Sequence, residues 1–108
     1  MAPVTIVTAG AERPAGLTVS SLLVVEGDVP LAVALIGRGS DFHSEVVETG
    51  AFVAHVMTDK DRVTAEVFAG LRPAPGGVFA ATDHEPTAWG PRLSGVGDWA
   101  GCRLDDTQ

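Results

Sequence analysis

The sequence predicts a mainly β fold, in which a β-barrel or sheet carries two short helices at its rim. Apolar, β-branched segments are short and are separated by Gly and Pro. Only two segments place apolar residues at helical spacing, and strands and helices do not alternate as they do in a βαβ fold. The length of 108 residues is typical of one domain. We therefore assign residues 1–108 to a single domain.

The N-terminal third is predicted to form strands. Residues 4–9 are apolar and β-branched, residues 10–14 supply turn chemistry, and residues 15–25 return as the second strand of a hairpin. Residues 31–36 are a continuous apolar run between a proline and a glycine. The shortness of that run favours a buried strand over a helix.

Two short helices are predicted, each between a capping residue and a glycine. Ser40 is a preferred N-cap, and Gly50 suits the left-handed residue that ends a helix. Thr58 or Asp59 caps the second helix, which is expected to end at Gly70. Apolar side chains at helical spacing predict the faces that pack on the core, namely Phe42, Val46 and Val47, then Val63, Val67 and Phe68.

The remaining segments are predicted to form two further strands and a long connection. Residues 51–57 form a strand between the helices, and residues 96–104 form a last strand interrupted by glycines. Residues 71–93 are rich in Gly and Pro and have no clear period, although residues 78–81 are a candidate short strand. A connection of that length in a compact domain is usually functional, or else it contains elements that the sequence pattern does not reveal.

Composition restricts the classes of partner. The net charge of −7 argues against nucleic acid and against an anionic membrane surface. No apolar stretch is long enough for a membrane span, and the N-terminus lacks the features of a signal peptide. Only 19% of residues are charged, which leaves apolar surface for a partner, most simply a second copy in a homodimer. A single cysteine makes no intrachain disulfide, so we predict a cytoplasmic protein.

Thr18, Ser20 and Ser21 place three hydroxyls within four positions of an apolar strand that follows Gly16. A buried hydroxyl without a partner costs about 1–3 kcal/mol. The hydroxyls therefore either face water and neighbouring turns, or contact a flat, polar ligand such as a heteroaromatic ring. The residues alone leave both readings open.

The segment Arg38-Gly39-Ser40 stands where a strand meets a helix. The N-terminus of a helix presents free N–H groups and a partial positive charge, and an arginine with a hydroxyl adds the chemistry of a phosphate site. An ordinary cap beside a surface arginine has the same sequence. Both interpretations remain possible at this point.

The other reactive side chains do not form a recognisable catalytic motif. The three histidines, His43, His55 and His84, lack the spacing of metal ligands, so no metal site is predicted. His55 is interpreted as a satisfied core or rim residue. Residues 82–85 (TDHE) either transfer protons or form a solvated loop, and Cys102 is interpreted as a small buried apolar residue. No catalytic residue is assigned.

Taken in order, these segments resemble the flavin reductase-like, split-barrel FMN-binding family. The resemblance covers the chain from Pro3 to about Asp105. It is carried by the hydroxyl strand, the apolar strand after Pro30, Arg-x-Ser before a helix, a strand containing Phe52, a helix closing with Phe68-Ala69-Gly70, and the segments GPRLSG (90–95) and WAGCR (99–103).

The resemblance implies a Greek-key split β-barrel that dimerises and binds flavin near the dimer interface. Members typically reduce FMN or FAD with NADH or NADPH, and supply a partner monooxygenase. By the same resemblance, Thr18, Val19, Ser20 and Ser21 would line the isoalloxazine ring and ribityl chain, and Arg38 and Ser40 would approach the phosphate.

Family members usually continue beyond the Trp-x-x-Cys strand, so the barrel is expected to be incomplete at its C-terminus. Two alternatives to an active reductase follow from that expectation. The chain could be a non-catalytic flavin-binding or dimerisation module, or a truncated remnant of a flavin reductase.

Overall fold

The computed structural model describes residues 4–19, 23–25, 31–33 and 40–104, and it confirms a mainly β fold with short helices. Its strands are β1 (Thr5–Ala9), β2 (Ala15–Val19), β3 (Leu23–Val25), β4 (Leu31–Val33), β5 (Ala51–Val56), β6 (His84–Thr87), β7 (Gly90–Leu93) and β8 (Asp98–Arg103). Its helices are α1 (Asp41–Thr49), α2 (Arg62–Phe68), which follows a 3₁₀ turn at Asp59–Asp61, and the single turn α3 (Val78–Ala81).

The largest sheet has the order β2-β1-β5-β8, with every neighbouring pair antiparallel. The predicted first hairpin is confirmed, since Thr5 pairs with Val19 and Ala9 with Ala15. Within the described residues, β3 pairs with β4 and β6 with β7 as separate two-stranded sheets. Among the described strands, the three sheets do not join into a closed barrel.

Strand β1 is buried along its whole length because both faces of the sheet are covered. On one face, Val7 packs in a cluster with Phe42 and Val46 of α1. On the other face, Ile6 packs in a second cluster with Phe68 of α2 and Leu93 of β7. A strand covered on both sides takes an apolar sequence without alternation, as the run at residues 4–9 shows.

Helix α1 has the predicted caps. The hydroxyl of Ser40 accepts a hydrogen bond from the His43 N–H at 3.1 Å, and Gly50 ends the helix with φ 75°. Phe42 and Val46 are buried, one turn apart, against the sheet. The prediction for Val47 is wrong, because its side chain is 53% exposed and lies beside the contact stripe.

Thr58 caps the second helical segment, as predicted, but the segment begins with a 3₁₀ turn before it becomes α-helical. Thr58 donates from both its N–H and its hydroxyl to the Asp61 carboxylate, at 2.9 and 3.0 Å, and this stabilises the 3₁₀ turn that precedes α2. Phe68 is buried and Val67 packs on its cluster, as predicted. Val63 is 57% exposed, so its assignment to the core face is wrong.

Residues 71–93 are not the structureless connection that the sequence predicts. They contain α3 and the hairpin β6–β7, and residues 78–81 form a helical turn instead of a strand. Each strand of the hairpin contains one proline, and Pro86 pairs with Pro91. A two-stranded ribbon tolerates such residues because only one side of each strand is paired.

Three other predicted strands differ from the described ones in their extent. The strand expected over residues 15–25 is described as β2 and β3 in different sheets, with residues 20–22 outside the described residues. Of the strand expected at residues 31–36, the described part is β4. The last strand begins at Asp98, because Val96 is buried in the preceding turn.

Candidate functional site

Strand β2 separates two grooves because successive side chains point to opposite faces. Leu17 and Val19 pack on the cluster that includes α1. Thr18 and Gly16 face α2 on the other side, where the Thr18 hydroxyl donates to the Ala65 carbonyl at 2.7 Å. We name the groove that contains the start of α1 the Ser40 groove, and the groove between β2 and α2 the Thr18 groove.

The Ser40 groove has a volume of about 620 Å³, within the range of roughly 300–1,000 Å³ typical of small-molecule sites. Three segments far apart in the sequence meet around it: the start of β2, the start of α1 and the loop before α3. Its lining comprises Pro14, Ala15, Gly16, Leu17, Ser40, Asp41, Phe42, Gly76, Gly77, Val78 and Phe79.

The N-terminus of α1 opens into the Ser40 groove. Ser40 caps the His43 N–H, and the Ser44 N–H donates to the Ser40 carbonyl at 3.2 Å. The N–H groups at the first positions of a helix have no acceptor within the helix and carry a partial positive charge. The backbone at this end of the groove therefore favours an anionic or strongly accepting group, while the Asp41 carboxylate in the same turn adds a negative charge.

A glycine pair forms the facing wall. Gly76 and Gly77 have φ of 82° and 97°, a conformation that favours glycine, and the Gly77 N–H donates to the Ala74 carbonyl at 2.8 Å. Phe79 follows on α3 and meets Phe68 edge-on, with ring centroids 5.4 Å apart. The sequence analysis missed this wall, although Pro75-Gly76-Gly77 is a recognisable turn signal.

The Thr18 groove, of about 610 Å³, lies between β2 and α2. On its rim, Glu66 accepts hydrogen bonds from Arg72 at 2.9 Å and from Arg62 at 3.2 Å. The Arg72 bond is the main reason that the pKa of Glu66 is lowered. The groove is lined by Val4, Thr18, Met57, Thr58, Asp59, Arg62, Ala65, Glu66, Ala69 and Leu71.

The structure places three of the six predicted flavin contacts. Ser40 lies in the groove named after it, Thr18 lies in the other groove, and Val19 packs on the core cluster. The side chains of Thr18 and Ser40 therefore do not share a groove. The other three residues, Ser20, Ser21 and Arg38, lie outside the described residues.

His55 is a core residue, as predicted. Its ring is fully buried, with Nδ1–H donating to the Ile6 carbonyl and Nε2 accepting from the Leu93 N–H, both at 3.0 Å. Burial is the main cause of its lowered pKa, and the charge of Arg92 lowers that pKa further. The ring is thus a neutral link between β1, β5 and β7.

The two other reactive groups have structural surroundings. Residues 82–85 include the start of β6, where His84 is exposed. Its Nδ1–H donates to the Thr82 carbonyl at 3.0 Å, and its ring meets Phe79 edge-on. This exposure matches the solvated reading of the segment. Cys102 is partly buried against the α1-side cluster, and burial raises the pKa of its thiol.

The described residues contain no group of three or more His, Cys, Asp or Glu side chains placed to hold a metal ion. Among the described helices, none has the length and apolar character needed to cross a membrane.

The Ser40 groove fits a flavin by its chemistry. Leu17, Phe42 and Phe79 give it apolar walls suited to a flat ring, and Gly76 and Gly77 let a ligand approach the backbone without a Cβ in the way. The α1 N-terminus supplies donors at one end.

The whole chain, residues 1–108, matches the family model of the flavin reductase like domain. A probable flavin reductase of Rhizobium meliloti (strain 1021) is 31% identical over 106 residues, which cover 95% of this chain and 33% of that protein.

Two solved structures share the fold. An NADH:FAD oxidoreductase of Streptomyces globisporus C-1027 superposes with a TM-score of 0.83 at 23% identity, over 97% of this chain and 64% of that one. Nitrilotriacetate monooxygenase component B of Mycobacterium thermoresistibile gives 0.82 at 25% identity, over 97% and 58%. The chain spans a third of the length of the curated relative, and less than two thirds of either solved chain.

Proposed function

This chain belongs to the flavin reductase-like domain family, and on that premise we propose that it binds FMN or FAD and takes part in its reduction by NADH or NADPH. The observation that carries the proposal is the Ser40 groove, where apolar walls, a glycine pair and a capped helix N-terminus converge. Because the chain covers a third of its curated relative, the activity of the whole protein is itself part of the proposal.

In this proposal the flavin ring lies against the apolar walls formed by Leu17, Phe42 and Phe79. Its phosphate end approaches Ser40 and the first turn of α1, where the partial positive charge of the helix N-terminus favours an anion. Ser20, Ser21 and Arg38 are proposed from the sequence as further contacts to the ribityl chain and the phosphate. Thr18 and Val19 are proposed to contribute through the strand that carries them.

A bound flavin supplies the chemistry by accepting a hydride and passing electrons on. The residues of this chain position the ring and exclude water from its covered face. The part of Val19 differs from that of Thr18, since Val19 packs on the cluster that includes α1 while the Thr18 hydroxyl donates to the Ala65 carbonyl. No proton-transfer residue is assigned to the described part of the groove.

The proposal extends to partners. The nitrilotriacetate monooxygenase component B that shares this fold supports a partner monooxygenase that receives the reduced flavin. We also propose that residues 1–108 act as one domain, that two copies form a dimer and that the protein is cytoplasmic. A low share of charged residues and a single cysteine support the last two points.

The test measures binding and turnover separately. FMN and FAD are titrated into the purified chain while quenching of flavin fluorescence is followed, and oxidation of NADH and NADPH is then measured with each flavin. Saturable binding with turnover supports a reductase. Binding without turnover supports a flavin-binding module instead, and absence of binding by either flavin contradicts the proposal.

A matched pair of variants localises the site. Ser40→Ala removes the cap that shapes the α1 N-terminus, so we expect flavin affinity to fall several-fold, corresponding to about 1 kcal/mol. Ser44→Ala, an exposed position one turn along the same helix, is expected to leave affinity unchanged. Equal affinities for the two variants would place the flavin elsewhere. Circular dichroism of both variants checks that α1 persists.

A further inference from the structure

The charge of the Ser40 groove lies where a flavin phosphate would approach. Among the described lining residues, Asp41 has the one charged side chain. It occupies the first turn of α1 directly after the cap, and it is exposed to the groove's solvent. A carboxylate there already interacts favourably with the partial positive charge of the helix N-terminus. A phosphate that reaches the same turn meets a negative charge already in place.

We propose that Asp41 is a specificity-determining residue that disfavours FMN relative to riboflavin. The two molecules share ring and ribityl chain, and they differ by the terminal phosphate monoester. This inference rests on the proposed function, because it concerns the phosphate end of the flavin that the same groove is proposed to bind. The phosphate of FMN carries nearly two negative charges at neutral pH, so the repulsion acts on FMN and spares riboflavin.

The rest of the described lining does not offset that repulsion. It consists of Pro, Gly, Ala, Val, Leu and Phe side chains together with Ser40. The nearby Arg13 is paired with Glu48 at 3.9 Å, and both side chains are largely exposed. Arg38 stands outside the described residues, so the test compares variants in which Arg38 is unchanged and its contribution cancels.

The overall charge of −7 also repels an anion, and this effect must be separated from that of Asp41. Charges farther apart than about 10 Å are largely screened at 0.1 M salt, whereas a carboxylate in the groove is not. Asp98 provides the matched control. It is an exposed aspartate at the start of β8, at the opposite edge of the four-stranded sheet from β2.

The experiment measures dissociation constants of riboflavin and FMN from fluorescence quenching, for the unmodified chain and three variants. Asp41→Asn is expected to tighten FMN binding by about threefold to tenfold at about 0.1 M salt and to leave riboflavin within about twofold. Asp41→Glu keeps the charge and is expected to keep both constants. Asp98→Asn changes the net charge equally and is expected to keep the ratio of the two constants.

An Asp41→Asn variant that alters both flavins alike, or neither, overturns the inference, and so does an Asp98→Asn variant that reproduces the shift. If no variant and no form of the chain binds either flavin, the proposed function fails, and that outcome is visible before any ratio is taken. Circular dichroism shows whether the Asp41 variants keep the α1 helix.

Discussion

At the scale of single residues, hydrogen-bond partners decide what a polar side chain does. Thr18 was a candidate ligand contact because a hydroxyl in an apolar strand needs a partner. Its partner is the Ala65 carbonyl of α2, so the hydroxyl ties a helix to the sheet. His55 likewise satisfies both ring nitrogens within the core. Both side chains form hydrogen bonds with backbone groups of the protein, so both stabilise the fold.

The burial of His55 predicts how stability depends on pH. Its pKa in the folded protein is lowered from the ordinary value of 6.5, so the unfolded chain binds more protons between the two values. The stability contributed by the neutral ring is therefore fully present above about pH 6.5. It is lost as the pH falls from there through the folded pKa, at most at about 1.4 kcal/mol per pH unit.

Urea unfolding at several pH values between about 5 and 8 measures this effect. We expect His55→Gln to be less stable than the unmodified chain at the upper end and to have a shallower pH dependence below 6.5. His43→Gln, on the outer part of α1, serves as the control and is expected to retain the steep dependence. Parallel curves for His55→Gln and the unmodified chain would contradict the assignment.

At the scale of elements, local signals mark where helices end but do not mark how their faces are used. The caps of α1 at Ser40 and Gly50 follow from short-range chemistry and were predicted from the sequence. The exposure of Val47 and Val63 depends on which side of each helix the sheet covers. A helix that contacts a sheet along a narrow stripe leaves some of its apolar side chains in water.

The end of α1 gives a prediction that isolates backbone conformation. Gly50 has φ 75°, and an added Cβ would meet no atom within 4 Å, so replacement costs conformational energy without a clash. We expect Gly50→Ala to lower the free energy of unfolding by about 1–2 kcal/mol. Gly95→Ala, also in open space but without a left-handed φ, is expected to cost less than about 0.5 kcal/mol. Thermal or urea unfolding compares them, and equal costs would rule out the αL cap as the source.

At the scale of the whole molecule, Phe68 joins parts of the chain that are distant in sequence. It is buried with Ile6 of β1 and Leu93 of β7, and its ring touches Phe79 of α3. A Cβ added at Gly16 would come within 2.8 Å of the same ring, so β2 approaches it closely as well. The ring therefore packs together α2, β7 and α3, and α3 supplies Phe79 to the lining of the Ser40 groove.

Truncation of this ring should affect the entire domain. Phe68→Ala is expected to destabilise the protein by about 3–5 kcal/mol, because it removes a buried aromatic side chain and leaves a cavity. Val63→Ala, on the exposed side of the same helix, should stay within about 0.5 kcal/mol. Urea unfolding followed by circular dichroism and by tryptophan fluorescence measures both. A small loss for Phe68→Ala would mean that the groups around it pack independently.

The family, the mainly β class, the first hairpin and both caps of α1 could be predicted from the sequence, as could the assignment of His55 to the core or its rim. These depend on local conformation, on apolar runs and on the order of motifs, all of which are legible along the chain. The tertiary structure alone decided that Thr18 and Ser40 open to different grooves and that Gly76 and Gly77 face the α1 N-terminus. Those facts arise because a strand presents alternate side chains to opposite faces, and because folding brings together segments more than twenty residues apart. No local sequence pattern shows which side chains will line the same groove. The site could therefore be recognised only in the folded sheet.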